Sequence, residues 1–503
     1  MTPPTTIRET VLALRSGWRE TIPRQVRRLV LRDPACSLRS SQNPSDRQDV
    51  RRRRSGDPYD SRVTATASTG QADVVIVGGG AAGLATAIFT ARRAPDLHIV
   101  IVDAAPKLGA KILVSGGGRC NVTNVRVTPR DFNGGSPNVV KKVLAAFDER
   151  RTVEFFRELG VSLHEEDWGK LFPDSNDAHT VLKALIDETR RLGVRILERR
   201  RVVRVEPQAD GFLIATQPAG PPPLTNPPTF ADPAAPRDDG TWLARRVVLA
   251  TGGQSLPKTG SDGFGYELAR RLGHTIIPTT PALVPLLLDG DFHIPLSGIA
   301  QDVEIRVRVE KDRPVRIVGP LLWTHFGVSG PAVLDASRCW HRAVLDQRPV
   351  AVTINLLPGK DLAAAEHAFL DLAARQPRIA VATALSSFVP ARVADAIVKE
   401  LGIPARITLA NFDRTARRRL LTAILDWPLP VRDSRGYNFA EVTAGGVPLN
   451  EIDPGTLASR RCPGLSLVGE ILDVDGRIGG FNFQWAWSTG YVAAQHLAEL
   501  SRS

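Results

Sequence analysis

Cysteine is scarce in this chain. Its 503 residues include four, Cys36, Cys120, Cys339 and Cys462. None forms a C-x-x-C pair, the closest two are 84 residues apart, and no spacing suits a zinc site, so no metal is expected. That excludes a disulfide framework and fits a reducing cytoplasm. Long apolar runs are also missing. Val74–Ala91 has no charge but is broken by Gly78, Gly79, Gly80 and Gly83, and Val350–Pro358 is too short to span a bilayer. No transmembrane helix and no secretory leader are predicted.

Lysine is absent from residues 1–72, which carry 14 arginines and 7 acids, hence +7 of the net charge of +12. The other 431 residues supply +5. The folded body is therefore not expected to bind nucleic acid through a basic surface. Ile7–Arg32 has the pattern of a short basic amphipathic helix, and Arg51–Arg54 form a block in a polar, turn-rich stretch. Residues 1–72 read as a disordered basic arm or as one that touches a membrane or an acidic partner. The whole chain is 43% hydrophobic and 23% charged, the balance of a globular protein, and long enough for two or three domains.

The first chemical signal is DVVIVGGGAAGLATAIFTARRAP, which reads as buried strand, tight turn and helix. Gly78, Gly80 and Gly83 make a GxGxxG fingerprint. Gly78 permits the turn, Gly80 lets a pyrophosphate approach the backbone, and Gly83 lets helix and strand pack closely. Ala81 and Ala82 open the helix, whose free N–H groups and dipole favour phosphate. A second strand, HIVIVDA, ends at Asp103, 20 residues after Gly83, where a carboxylate reaches an adenosine ribose. The three features in order predict dinucleotide binding.

Two later pieces separate flavin from nicotinamide. RRVVLATGGQS is a strand that ends in Thr251 and Gly252. PGLSLVGEILDVDGRIGGFNFQWAWSTGYVAA is a strand that ends in Gly469 and Glu470, followed by a loop with Gly479, Gly480 and Asn482 and a long helix. An acid for a ribityl chain, ahead of a helix N-terminus that stabilises negative charge at a reduced pyrimidine edge, suits FAD.

KILVSGGGRCNVTN, Lys111 to Asn124, lies between these pieces. Lys111, Ser115, Gly116, Gly117, Gly118, Arg119, Asn121 and Asn124 read as a cofactor-cradling loop, with backbone N–H groups toward the flavin and Arg119 against the pyrophosphate. Asn121 and Asn124 either bond the flavin edge or brace the loop. Cys120 is a candidate redox group, opposed by the lack of a second cysteine nearby. His325, in WTHFGVSGPAVLDAS, is a candidate acid or base, or a loop brace.

Taken together, VVIVGGGAAGLATA, KILVSGGGRCNVTN, ATGGQSLPKTGSDGFGYELARRLGHTI, THFGVSGPAVLDAS, AEVTAGGVPLNEIDP and LVGEILDVDGRIGGFNFQWAWSTGYVAA resemble the bacterial FAD-dependent oxidoreductases related to aminoacetone oxidase and BaiN, the YhiN-type flavoproteins. The resemblance spans about residues 73–494 and implies an α/β fold, a discontinuous Rossmann-like FAD-binding domain with an inserted β-barrel-like domain and a small helical domain. The expected parts are FAD-binding over 73–275 with a proline-rich loop at 217–242, barrel-like over 276–358, helical over 359–430, a return over 431–447, and FAD-binding again over 448–503. The implied activity moves a hydride or electron pair between flavin and a small organic substrate. With no second GxGxxG, NAD(P)H is expected as a transient reductant at most, with oxygen as the alternative redox partner. The alternatives are an RNA-associated flavoprotein, an NAD-dependent dehydrogenase and a flavin-binding protein without catalysis. The substrate and oligomeric state are not encoded in any motif.

Overall fold

The computed structural model describes residues 69–105, 107–220 and 240–499. The basic arm through residue 68, Pro106 and most of the proline-rich segment 217–242 lie outside the described residues.

The β-branched run Val74–Val77 forms the buried end of β1 (Gly70–Val77). Continuous burial is what a parallel strand covered on both faces requires. Its helix, α1 (Ala81–Arg93), leads to β2 (Ile99–Val102), which pairs in parallel with β1 and then with β3 (Arg195–Leu197). A hairpin of β4 (Arg200–Gln208) and β5 (Gly211–Pro218) continues into β6 (Thr241–Leu249), antiparallel to β5 and parallel to β1. The sheet order is thus β3-β2-β1-β6-β5-β4.

The chain then leaves through Ile277–Ala282 and builds a second, antiparallel sheet. Its strands are β7 (Leu286–Leu288), β8 (Ala300–Val309), β9 (Val315–Thr324), β10 (Gly327–Ser329), β11 (Val350–Asn355), β12 (Trp427–Leu429) and β13 (Val431–Ser434), in the order β12-β11-β8-β9-β10-β7-β13. In β8 the alternation of VEIRVRVE puts Val303, Ile305 and Val307 inside and Arg306 and Arg308 on the other face, the period-2 pattern of a half-buried strand. Helix α2 (Pro331–Leu345) follows β10. Four helices, α3 (Leu362–Arg375), α4 (Val381–Leu385), α5 (Ala391–Glu400) and α6 (Arg414–Leu425), separate β11 from β12. Asp361 and Asp413 cap α3 and α6 by accepting from Ala364 N (2.8 Å) and Ala416 N (2.9 Å). This sheet and these helices share one apolar core, distinct from that of the first sheet.

The return is Val442–Gly446, paired antiparallel with the outgoing Ile277–Ala282. Strand β14 (Leu465–Leu467) then joins β6 in parallel, and α7 (Phe481–Glu499) closes the first domain. Gly490 of α7 lies against α1, and a Cβ there would sit 3.0 Å from Ala85 Cβ and from Thr86 N. An alanine there would need its neighbours to give by a few tenths of an ångström. Within α7, Trp487 is fully buried and its Nε1 donates to Val122 O (3.0 Å), which ties the helix to the Lys111–Asn124 segment. Among the described residues no helix is long and apolar enough to cross a membrane.

Candidate functional site

A cavity of about 470 Å³ opens at the carboxyl ends of β1, β2 and β6, where Val77, Val102 and Ala250 form its floor. That is where open α/β sheets hold ligands. The three fingerprint glycines differ in surroundings. Gly78 has φ +109°, and a Cβ would stand 2.4 Å from Ala250 O. A Cβ on Gly83 would be 1.9 Å from Gly78 O, so this residue lets α1 rest on the turn and does not line the cavity. A Cβ on Gly80 would meet nothing within 4 Å, because Gly80 faces the open space. Ala81 and Ala82 line the cavity beside it, and no acid or side-chain cap occupies the α1 N-terminus. The cradle therefore suits an anionic pyrophosphate.

Asp103 is buried at the cavity wall. Its Oδ2 accepts from Gly79 N (2.5 Å) and its Oδ1 from Ala105 N (2.6 Å). Burial raises its pKa, and those two N–H bonds only partly offset the rise. Thr251 and Gly252 complete this end, and the Thr251 hydroxyl is buried without a protein partner.

The glycine segment is a backbone device. Gly116, Gly117 and Gly118 have φ of +55°, +69° and +87°, three successive left-handed residues that other side chains would strain. Gly116 and Gly117 line the cavity, as do Lys111, Ser115, Arg119 and Asn121, whereas Gly118 and Asn124 do not. The polar side chains are largely spent on the protein. Arg119 pairs with Glu166 through two bonds (2.5 and 3.1 Å) and lies over the Phe172 ring. It is not the free counter-charge to a pyrophosphate that the sequence suggested. Asn124 Nδ2 donates to Gly479 O (3.1 Å) and Trp168 O (3.0 Å). Asn121, with its amide assigned by its hydrogen bonds, donates to Thr123 O (2.8 Å) and accepts from Gly480 N (3.0 Å). Both asparagines brace the loop against the Gly479–Gly480 turn. Asn482 does the same from the far side, bonding both the N–H and the carbonyl of Gly476.

Glu470, in the turn after Val468, anchors the other wall. Its Oε2 accepts from Lys111 Nζ (2.6 Å), and its Oε1 accepts from Ser255 Oγ (2.9 Å) and Thr443 N (2.9 Å). Lys111 Nζ also donates to Ser255 Oγ (2.6 Å). Gly469, Gly479 and Gly480 line the cavity beside this set. The wall thus presents a neutralised lysine–glutamate pair rather than a bare acid.

The two candidate catalytic residues lie elsewhere. Cys120 is fully buried with φ +64° and does not line the cavity. Burial pushes its thiol up to about 12, so it is protonated and unreactive at neutral pH. His325 is exposed in the turn between β9 and β10, edge-on to Phe326, and does not line the cavity either.

Sequence reading missed Lys170 and Glu441, which line the cavity, as do Phe172, Leu283 and Ile478. Each sits in a stretch whose signal was apolar, GKLFP and AEVTAGG. A charge inside such a stretch, immediately before the hydrophobic residues of a strand, was the cue. Across the cavity, Gly78, Gly80, Asp103 and Thr251 suit an adenine dinucleotide, and Ser115–Gly117, Glu470 and Gly479–Gly480 suit the remainder of FAD. Among the described residues no cluster of His, Cys, Asp and Glu is arranged for a metal ion.

The chain was compared with known proteins. The HI0933-like protein Rossmann domain matches residues 72–496. The 3-dehydro-bile acid delta(4,6)-reductase of Clostridium scindens is 32% identical over 425 residues, covering 84% of this chain and 98% of that protein. The ribosomal RNA dihydrouridine synthase of Escherichia coli is 32% identical over 431 residues, covering 86% of this chain and 99% of that protein. The chain belongs to the HI0933-like Rossmann family of FAD-dependent oxidoreductases.

Proposed function

We propose that this enzyme adds two hydrogens across a ring carbon–carbon double bond conjugated to a carbonyl, with NAD(P)H as a transient source of electrons. FAD, when bound, supplies the hydride. One observation carries the reading. The cavity lining combines apolar Phe172, Leu283 and Ile478 with two ionisable groups, Lys170 and Glu441, close enough to feel each other's charge. A flat apolar ring fits the wall, and Lys170 is suited to hold its carbonyl oxygen. The wall also excludes water from the reacting carbon. The relatives' names support this, because a 3-dehydro delta(4,6) steroid and uridine share one reducible element, a ring double bond conjugated to a carbonyl.

The primary substrate class is a free ring ketone. A uridine in RNA is the second reading, favoured by Trp168. This side chain is 60% exposed, two residues from Lys170, and held at φ +68°. An exposed aromatic in that conformation is explained neither by core packing nor by backbone ease, and it offers a stacking face to a base.

The test reduces the FAD-loaded protein anaerobically and mixes it with a 3-oxo-Δ4 steroid or with unmodified ribosomal RNA. Return of oxidised flavin absorbance with the steroid supports the primary reading, and return with RNA alone supports the second. Reoxidation by oxygen only would overturn both.

A further inference from the structure

Four acids line the cavity: Asp103, Asp262, Glu441 and Glu470. Three are engaged. Asp103 holds two backbone N–H groups, Asp262 pairs with Arg201 (2.6 Å), and Glu470 pairs with Lys111 (2.6 Å). The Glu441 carboxylate has no hydrogen-bond or ion-pair partner among the described residues. Only its backbone is held, N–H to Leu283 O (3.1 Å) and carbonyl from Ser255 Oγ (3.2 Å). The side chain is accessible although protein surrounds it, so the space it reaches is the cavity. Its position is fixed relative to the cofactor wall, because Thr443, two residues on, donates its N–H to Glu470.

Among the described residues no histidine, cysteine or tyrosine lines the cavity. Glu441 is therefore the lining acid whose carboxyl is left free to serve a ligand. We propose that Glu441 is the catalytic proton donor of this site and Lys170 its carbonyl-holding partner, an inference that rests on the double-bond reading above. The step balances as follows. With reduced FAD bound, the β carbon of the conjugated double bond would gain a C–H bond from its hydride, leaving the flavin oxidised. The π pair moves toward the α carbon and carbonyl oxygen, where the Lys170 ammonium faces the growing negative charge. The O–H bond of Glu441 then breaks and its proton forms the α C–H bond, leaving a carboxylate that solvent reprotonates through the cavity mouth.

The surroundings suit the role. Crowding by protein raises the Glu441 pKa. Lys111 from the short helix Ala110–Val114 and Lys170 from the strand Lys170–Pro173 pull it down, and Asp335 from α2 pushes it up. The net shift is upward, so the acid form persists above the usual carboxylate range. The rate should fall as pH rises through that pKa.

The experiment uses FAD-loaded wild type, Glu441→Gln and Lys170→Met. Reduced protein is mixed with whichever probe reoxidises the wild type, the 3-oxo-Δ4 steroid or the RNA, across a pH series. Glu441→Gln is expected to keep its FAD, to slow by about 10²-fold and to lose the high-pH fall. Lys170→Met should slow while keeping that fall. A second readout needs no turnover. Infrared difference spectra of the oxidised protein across the same pH range should show a protonated carboxyl in the wild type that is missing in Glu441→Gln. Wild-type rates or an intact high-pH fall in Glu441→Gln would overturn the proposal, and so would absence of the carboxyl band. If neither probe reoxidises the wild type, the double-bond reading falls with the donor role, and the infrared band then shows whether Glu441 still holds its proton.

Discussion

Among the described residues, a serine, a base and an acid come together both at the cavity and away from it, and the two sets do different things. At the cavity, Ser255, Lys111 and Glu470 are mutually bonded, with all contacts at 2.6–2.9 Å. Away from it, His274 Nδ1 lies 2.8 Å from Glu451 Oε2 and its Nε2 lies 2.8 Å from Ser459 Oγ. The second set has the outline of a hydrolytic triad, yet neither His274, Glu451 nor Ser459 lines the cavity. The serine shows why it is structural. Ser459 Oγ accepts the N–H groups of Arg461 (3.0 Å) and Cys462 (2.8 Å), which use both of its lone pairs, and its hydrogen is left for His274. An oxygen so committed is no nucleophile. Glu451 further holds Thr275 and Arg461, so the set joins the segment after β6 to the segment before β14. The lesson is that donor and acceptor capacity, counted atom by atom, separates a site from a staple when distances alone do not.

The largest expected effect comes from breaking the cavity set. Glu470→Ala strands the Lys111 ammonium and frees Thr443 N, and should cost about 2–3 kcal/mol in folding stability. It should also weaken FAD at least tenfold, read by titration of flavin fluorescence. Unchanged FAD affinity would mean that this wall is not part of the cofactor site. Next, Glu451→Gln should cost about 2 kcal/mol in urea unfolding by uncoupling His274 and Arg461, while FAD affinity stays at the wild-type value. A drop in affinity comparable to that of Glu470→Ala would erase the distinction between the two sets.

The pH dependence of the staple has a defined sign. Burial raises the Glu451 pKa, but the bonds from His274, Thr275 and Arg461 outweigh it, and the net pKa lies below the ordinary 4.5. A depressed carboxylate contributes stability that is complete above its unfolded pKa and is lost as pH falls through its folded one. The wild type should therefore lose part of its stability below about pH 4.5, and Glu451→Gln should lose less over the same range. Equal acid sensitivity in both proteins would remove Glu451 from the account. The smallest effect is expected at Cys120. Cys120→Ala should keep FAD and cost about 1 kcal/mol through lost buried volume. The native thiol should resist alkylating reagents until the protein is unfolded, and rapid labelling of Cys120 in the native enzyme would contradict its burial.

Legibility in the sequence follows the same divide between backbone and side chain. The roles of Gly78, Gly80 and Gly83 are matters of φ and clearance, which a glycine at a fixed spacing announces directly. The α/β class and the alternating β8 are legible because burial imposes a period on the residues themselves. Partners are another matter. Arg119 has Glu166 as its mate, 47 residues away, and Asn121, Asn124 and Asn482 bond peptide groups that only the fold brings near. A polar residue in a glycine loop looks the same in sequence whether it faces a ligand or braces a turn. Glu441 shows the converse, for a charge with no mate carries no pairing signal to read. His325 drew attention through its chemistry, but exposure is a tertiary property, and a histidine at a hairpin tip carries no sequence mark of its position.

The ladder between Ile277–Ala282 and Val442–Gly446 has a consequence for how such a molecule changes over time. Ala282 and Val442 are paired neighbours, so the whole excursion of residues 283–441 departs and returns at one point. The nucleotide-holding domain is, in its connectivity, a closed circuit with a cartridge plugged into it. A cartridge can be lengthened, trimmed or exchanged without rerouting the strands that form the cradle. Phe172 and Ile478 remain with the circuit, while Leu283 and Glu441 sit at the two ends of the cartridge, against its socket. Leu283 and Glu441 can thus be replaced with the cartridge, while the cofactor cradle, Lys170, Phe172 and Ile478 are inherited intact.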